Sequence, residues 1–144
     1  MDRKEFLKTC GYSCLGLIGV SVFLDSCTTQ KLIQAESVNN VIRITKTEFV
    51  DPKKNKPLRY ITVKTNSSDF PIIVYRFSEN EYKALLLRCT HLGSELNVNG
   101  DLLTCPAHGS EFSNKGEIVQ GPADKNLESY TITSDIKNIY IHLA

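Results

Sequence analysis

The sequence predicts an all-β fold of short strands. Three observations carry this. From Val41 onward the hydrophobic period is two and not 3.6, turn-forming residues interrupt the apolar runs, and no window carries a long amphipathic helix. At 144 residues and 41% hydrophobic content the chain suits one compact domain. The formal net charge is +1 with both signs scattered, so no basic stripe or acidic run points to nucleic acid, and none is expected as a partner.

Residues 1–26 read as an export signal and not as fold. A short basic start, Asp2-Arg3-Lys4-Glu5-Phe6-Leu7-Lys8, precedes the uncharged run Cys10 to Leu24. That run is about 15 residues, short of the roughly 20 that a membrane-crossing helix needs. Leu24-Asp25-Ser26-Cys27 resembles a bacterial lipobox, with Asp25 where small residues are usual. Cys27 is therefore the expected lipid acceptor, and residues 27–37 the expected polar tether. Arg3 to Lys8 also resembles a twin-arginine signal with Lys4 in the second arginine position. That route exports proteins already folded, which would protect thiols such as those of Cys89 and Cys105 from pairing in an oxidising compartment.

Residues 38–144 form the expected domain. Val41 to Thr45, Arg59 to Thr65 and Ile139 to Leu143 alternate or nearly alternate, as half-buried strands do. Between the first two, Asp51 to Pro57 reads as an exposed loop. Ile72 to Phe77 and Tyr82 to Arg88 are denser apolar runs separated by Ser78-Glu79-Asn80-Glu81, which reads as a hairpin of more deeply buried strands. Asn99-Gly100, between Leu96-Asn97-Val98 and Asp101-Leu102-Leu103, is a tight-hairpin signal, because both residues tolerate positive φ. His142 reads as a lone strand histidine.

The five cysteines are an odd number, so each needs its own explanation. Cys10 and Cys14 fall in the export signal. Cys89-Thr90-His91 follows a predicted strand, and Cys105-Pro106-Ala107-His108 follows the second arm of the Asn99-Gly100 hairpin. Hairpin closure would bring both loops together, so that two thiolates and two imidazoles converge on one point, as an iron–sulfur or a zinc centre requires. The order Cys, His, Cys, His differs from the Cys, Cys, His, His order usual for zinc fingers. A two-iron cluster divides such a set, with two cysteines on one iron and two histidines on the other.

At these residues the chain resembles the Rieske iron–sulfur family. Cys89-Thr90-His91-Leu92-Gly93 matches the first box of that family, and Cys105-Pro106-Ala107-His108-Gly109-Ser110 matches the second. Gly116, Gly121-Pro122-Ala123, Leu127 and Tyr130 follow in the family's order. The resemblance implies three small antiparallel sheets with a cluster-binding subdomain, and one [2Fe–2S] cluster held by Cys89, His91, Cys105 and His108. It also implies that the Gly121-Pro122-Ala123 loop lies over the cluster and that Ser110 donates to a cluster sulfide. High-potential members carry one more cysteine in each box, joined as a disulfide. Here those positions are Ser94 and Ala107, and a tyrosine of those members is Phe112. Keeping one donor to sulfur and losing another implies a potential in the middle of the span of about −150 to +300 mV, a hypothesis that a midpoint at the top of that span would contradict. Imidazole ligation further implies a midpoint that depends on pH in the alkaline range.

The resemblance therefore implies a one-electron carrier or electron-transfer subunit, exported, lipid-anchored at a membrane and served by protein redox partners. Two alternatives stand beside it: the small iron–sulfur subunit of an oxidoreductase whose catalytic centre lies on another chain, and a structural zinc module. No substrate pocket or nucleotide motif is legible, so catalysis by this chain alone is not expected.

Overall fold

The run Ile72-Ile73-Val74-Tyr75, three β-branched residues and an aromatic, lies inside the main sheet of the computed structural model, which describes residues 30–144. The expected export signal, with Cys10 and Cys14, and the expected lipid acceptor Cys27 lie outside the described residues. Twelve strands are described: β1 Leu32–Gln34, β2 Ser37–Val38, β3 Val41–Thr45, β4 Tyr60–Lys64, β5 Ile72–Arg76, β6 Tyr82–Leu86, β7 Asn97–Asn99, β8 Leu102–Thr104, β9 Glu111–Ser113, β10 Ile118–Gln120, β11 Ser129–Ser134 and β12 Asn138–His142. Lys46–Phe49 forms a single 3-10 turn after β3, and Asp51 closes the exposed loop that follows by accepting the Lys53 and Lys54 amides on its carboxylate.

Eight strands pair in the order β1-β4-β5-β6-β11-β12-β3-β2, and four in the order β10-β9-β8-β7. β11 folds the larger sheet in two, because Ser129 and Tyr130 pair with β6 whereas Thr131 to Ser134 pair with β12. With the larger sheet folded in two at β11, the two halves and the smaller sheet make up the nearly all-β arrangement of three small sheets that is expected. One pairing departs from the expected antiparallel pattern: β1 joins β4 in parallel, with Leu32 opposite Thr62 and Gln34 opposite Lys64.

Side-chain alternation explains why the middle strands are so apolar. Ile73, Tyr75, Leu85 and Leu87 face the smaller sheet, while Ile72, Val74, Ala84 and Leu86 face the second half of the larger one with Ile42, Ile44, Ile139 and Ile141. Both faces are covered, so successive residues all find an apolar partner. Full burial of each large aliphatic side chain contributes roughly 1.5–3 kcal/mol. β3 and β12 cover one face only and keep the alternation expected of half-buried strands.

Three expectations are corrected. The strand at Arg59 to Thr65 is not half-buried, since Tyr60, Ile61, Thr62 and Val63 are all buried between the two layers. The tight turn of the β7–β8 hairpin is Gly100-Asp101, one residue later than expected, because Asn99 pairs with Leu102 and only Gly100, at φ +65°, is left-handed. The expected tether at residues 27–37 is in part sheet. Leu32–Gln34 form β1, and β2 turns into β3 through Asn39-Asn40, whose φ values of 52° and 60° suit a two-residue hairpin turn. His142 is a strand residue as expected, with its Nε2 at 2.9 Å from the Thr133 hydroxyl.

Candidate metal centre

Two loops at the tip of the smaller sheet share one backbone design. In the first, the Cys89 amide donates to the Ser94 carbonyl at 2.8 Å and the Gly93 amide returns to the Cys89 carbonyl at 2.8 Å. In the second, Cys105 donates to Ser110 at 2.8 Å and Gly109 to Cys105 at 3.0 Å. Gly93 and Gly109 take φ values of +80° and +79°, which a side chain at either position would strain. The shared pattern is Cys-x-x-x-Gly-Ser, legible in the sequence as a repeat, with the histidine two residues after the cysteine in one loop and three in the other.

The strands aim these loops at one another. Cys89 follows β6, and an isolated bridge between Arg88 and Glu95 closes its loop at the base. Cys105 lies between β8 and β9. The His91 and His108 rings stand 5.0 Å apart, centroid to centroid, and perpendicular at 89°. Cys89 and Cys105 are 2% and 4% exposed, whereas His91 is half-buried and His108 is exposed. The thiols therefore face the core and the imidazoles face outward. Among the described residues no three His, Cys, Asp or Glu side chains are gathered closely enough to hold a single metal ion. Both thiols are unpaired.

Two features mark the site as built for a bound group. His91 Nδ1 is buried with no hydrogen-bond partner, a position that costs free energy unless something accepts its lone pair. Burial pushes the Cys105 thiol up, but donation from the Ala107 and His108 amides, with the Cys89 thiol and Ser94 hydroxyl, outweighs this and holds it below the ordinary thiol value. Donors gathered around sulfur favour the thiolate, the form that binds iron.

Ser110 is fully buried, and its oxygen accepts the Ala123 amide at 3.0 Å. That leaves its hydroxyl proton free to donate. The sequence reading did not single out Thr90, whose hydroxyl donates to the Lys125 carbonyl at 2.6 Å, or Gln120, whose amide donates to the Gly109 carbonyl at 3.1 Å. No sequence signal joins residues that far apart. Arg88, exposed, lies against Gly93 and over the Phe70 ring at 5.6 Å.

The Rieske [2Fe-2S] domain family matches residues 41–131, more than half of the chain. The chain belongs to this family. It therefore carries one [2Fe–2S] cluster and serves Rieske-type electron transfer. No curated protein matches it by sequence at a significant level. Among solved structures, naphthalene 1,2-dioxygenase with indole bound in the active site is similar at 23% identity and a TM-score of 0.56, over 73% of this Rieske chain and 26% of that one. The chain thus spans about a quarter of that oxygenase. A chain of the complex of reduced oxygenase and oxidized ferredoxin in carbazole 1,9a-dioxygenase is 19% identical with a TM-score of 0.52, over 73% and 94% of the two chains. The plasma membrane Rieske protein PetC3 of the cyanobacterium Synechocystis is 27% identical, with a TM-score of 0.49, over 58% and 85%.

Proposed function

We propose that Cys89 and Cys105 hold one iron of the cluster and His91 and His108 the other, and that this Rieske protein passes single electrons between protein partners outside the cytoplasm. The observation that carries this reading is the pairing of two inward thiols with two outward imidazoles, one of which has a buried, unpartnered Nδ1. When bound, the cluster supplies a one-electron couple. The chain's own residues do the rest. Burial of Cys89 and Cys105 keeps water from the thiols. The Ala123 amide fixes the Ser110 oxygen and leaves its hydroxyl proton free, so that Ser110 would donate to a cluster sulfide. His108 is exposed, and Leu92 beside His91 is 69% exposed, so a partner can approach the imidazole side without any rearrangement of the fold.

The zinc reading is disfavoured by the order Cys, His, Cys, His and by the Rieske family match over residues 41–131. Residues 1–26 as an export signal, Cys27 as the lipid acceptor and residence at a membrane outside the cytoplasm belong to the same proposal and rest on the sequence motifs alone. Electron paramagnetic resonance of the reduced protein tests the ligand set. The expected result is a Rieske spectrum with nitrogen hyperfine coupling that disappears in His91→Ala and His108→Ala; a spectrum of all-sulfur ligation would overturn it. Metabolic labelling with a radioactive fatty acid tests the anchor, which is expected in the natural chain and absent in Cys27→Ala. Isolation with bound partners would show whether the protein shuttles freely or is the small subunit of a larger oxidoreductase.

A further inference from the structure

We infer that the segment Gln120 to Lys125 cross-braces the two ligand loops in place of a covalent bridge, with Thr90 as the positioning residue on the first loop. The inference rests on the ligand assignment proposed above. Each loop is closed within itself, among the described residues no backbone hydrogen bond joins one loop to the other, and the side-chain contacts that cross between them, from Cys89 and Ser94, end on the sulfur of Cys105, itself a proposed ligand. The positions of the family's bracing disulfide hold Ser94 and Ala107. The segment after β10 touches both loops. Gln120 donates to the Gly109 carbonyl at 3.1 Å, the Ala123 amide donates to the Ser110 hydroxyl at 3.0 Å, and Thr90 donates to the Lys125 carbonyl at 2.6 Å.

The brace is itself anchored. Ala123 and Leu127 are each 6% exposed in the core beneath the loops, the Leu127 amide donates to the Gly116 carbonyl at 2.8 Å, and the Asn126 side chain accepts the Ile118 amide at 3.1 Å. A segment fixed at its foot and bonded to both loops transmits restraint between them as a disulfide would, though each bond can break separately. Its hold on the second loop is double, through Gly109 and Ser110. Among the described residues its side-chain hold on the first is Thr90 alone. Thr90 is neither a proposed ligand nor a proposed donor to sulfur, so its substitution isolates the brace.

The test uses the full-length, cluster-loaded protein. Thr90→Val is expected to lose its visible absorbance to a chelator about three- to tenfold faster than the natural chain, the weight of one such hydrogen bond, while Thr90→Ser matches the natural rate. In a Ser94→Cys, Ala107→Cys background, with the disulfide verified by thiol counting, Thr90→Val should be no faster than its parent. Amide exchange gives a measurement independent of the disulfide. The Gly93 amide should exchange faster in Thr90→Val, with β4 and β5 unchanged. A natural release rate in Thr90→Val, equal acceleration or failure to load in both backgrounds, or unchanged Gly93 exchange would each overturn the inference. Failure to load only without the disulfide supports it. His91→Ala separates the two proposals: if it keeps a Rieske spectrum, the ligand assignment falls whatever Thr90 does.

Discussion

The larger sheet and the tip that carries the two loops are held together by different physics. In β4, β5 and β6 nearly every side chain is buried, on one face or the other, and the stabilisation is the non-directional gain of removing apolar surface from water. The tip has strands of three residues, with left-handed glycines, side-chain hydrogen bonds to carbonyls and the four side chains proposed as ligands. Directional bonds and a bound group do there what burial does in the sheet. The division suits an electron carrier, whose site must reach the surface and so cannot be wrapped in a core of its own.

Removing the cluster, or substituting Cys105→Ala, attacks one side of this contrast and is expected to have the largest effect. Visible absorbance should vanish completely, and amides at Gly93 and Gly109 should lose exchange protection while those of β4 to β6 keep theirs. Loss of protection at equal rates in both regions would mean that the two form a single cooperative unit. Ile73→Ala, beneath the tip, and Ile72→Ala, on the opposite face, should each cost about 2–5 kcal/mol in urea unfolding. Only Ile73→Ala should also speed cluster release; equal release from both would erase the distinction between faces.

Two substitutions probe the join between sheet and tip. Gly116 sits at φ +84° in the turn before β10, and a Cβ there would lie 2.7 Å from Leu85 Cδ2 and 3.4 Å from Leu127 Cβ. Gly116→Ala should therefore destabilise by about 1–3 kcal/mol, read from the urea midpoint. Tyr75 reaches from β5 to the turn of the β7–β8 hairpin, donating its hydroxyl to the Gly100 carbonyl at 2.7 Å. Burial holds that phenol above its ordinary value, so it stays a neutral donor. Tyr75→Phe should cost about 0.5–1.5 kcal/mol, with exchange at the hairpin quickened more than in β5; uniform quickening would deny that it links the two parts.

The smallest effect is expected in the larger sheet, outside the two loops. At the β11–β12 turn, the Tyr140 hydroxyl and the Asn138 and Lys137 amides donate to Asp135 and hold its carboxyl below the ordinary value of 3.8. A depressed carboxylate contributes stability that is present above about pH 4 and lost as pH falls through the folded value. Asp135→Asn should flatten the acid side of the stability profile slightly and leave the midpoint potential unchanged. A shifted potential would show that this turn and the site are coupled.

The sequence by itself determined the strand period, the two boxes, and the departures at Ser94, Ala107 and Phe112, because each is a local pattern of side chains. The pattern Cys-x-x-x-Gly-Ser stands twice in the sequence, but its common turn was recognised only in the structure, where Gly93 and Gly109 share one backbone conformation. β1, β2 and the polar strand β11 were not legible. β1 and β2 are too short and too exposed for a period to show, and β11 alternates only weakly, with Tyr130 and Ile132 half-buried among serine and threonine, so hydrogen bonding to distant strands is what makes them sheet. The double-faced burial of β4 likewise depends on which layers fold over it. At the site, the sequence supplied the chemistry of the four side chains. Only the tertiary structure decided that the thiols turn inward, the imidazoles turn outward, and Thr90 and Ser110 meet one segment 13 to 35 residues away, because contacts across such separations leave no trace in the order of residues.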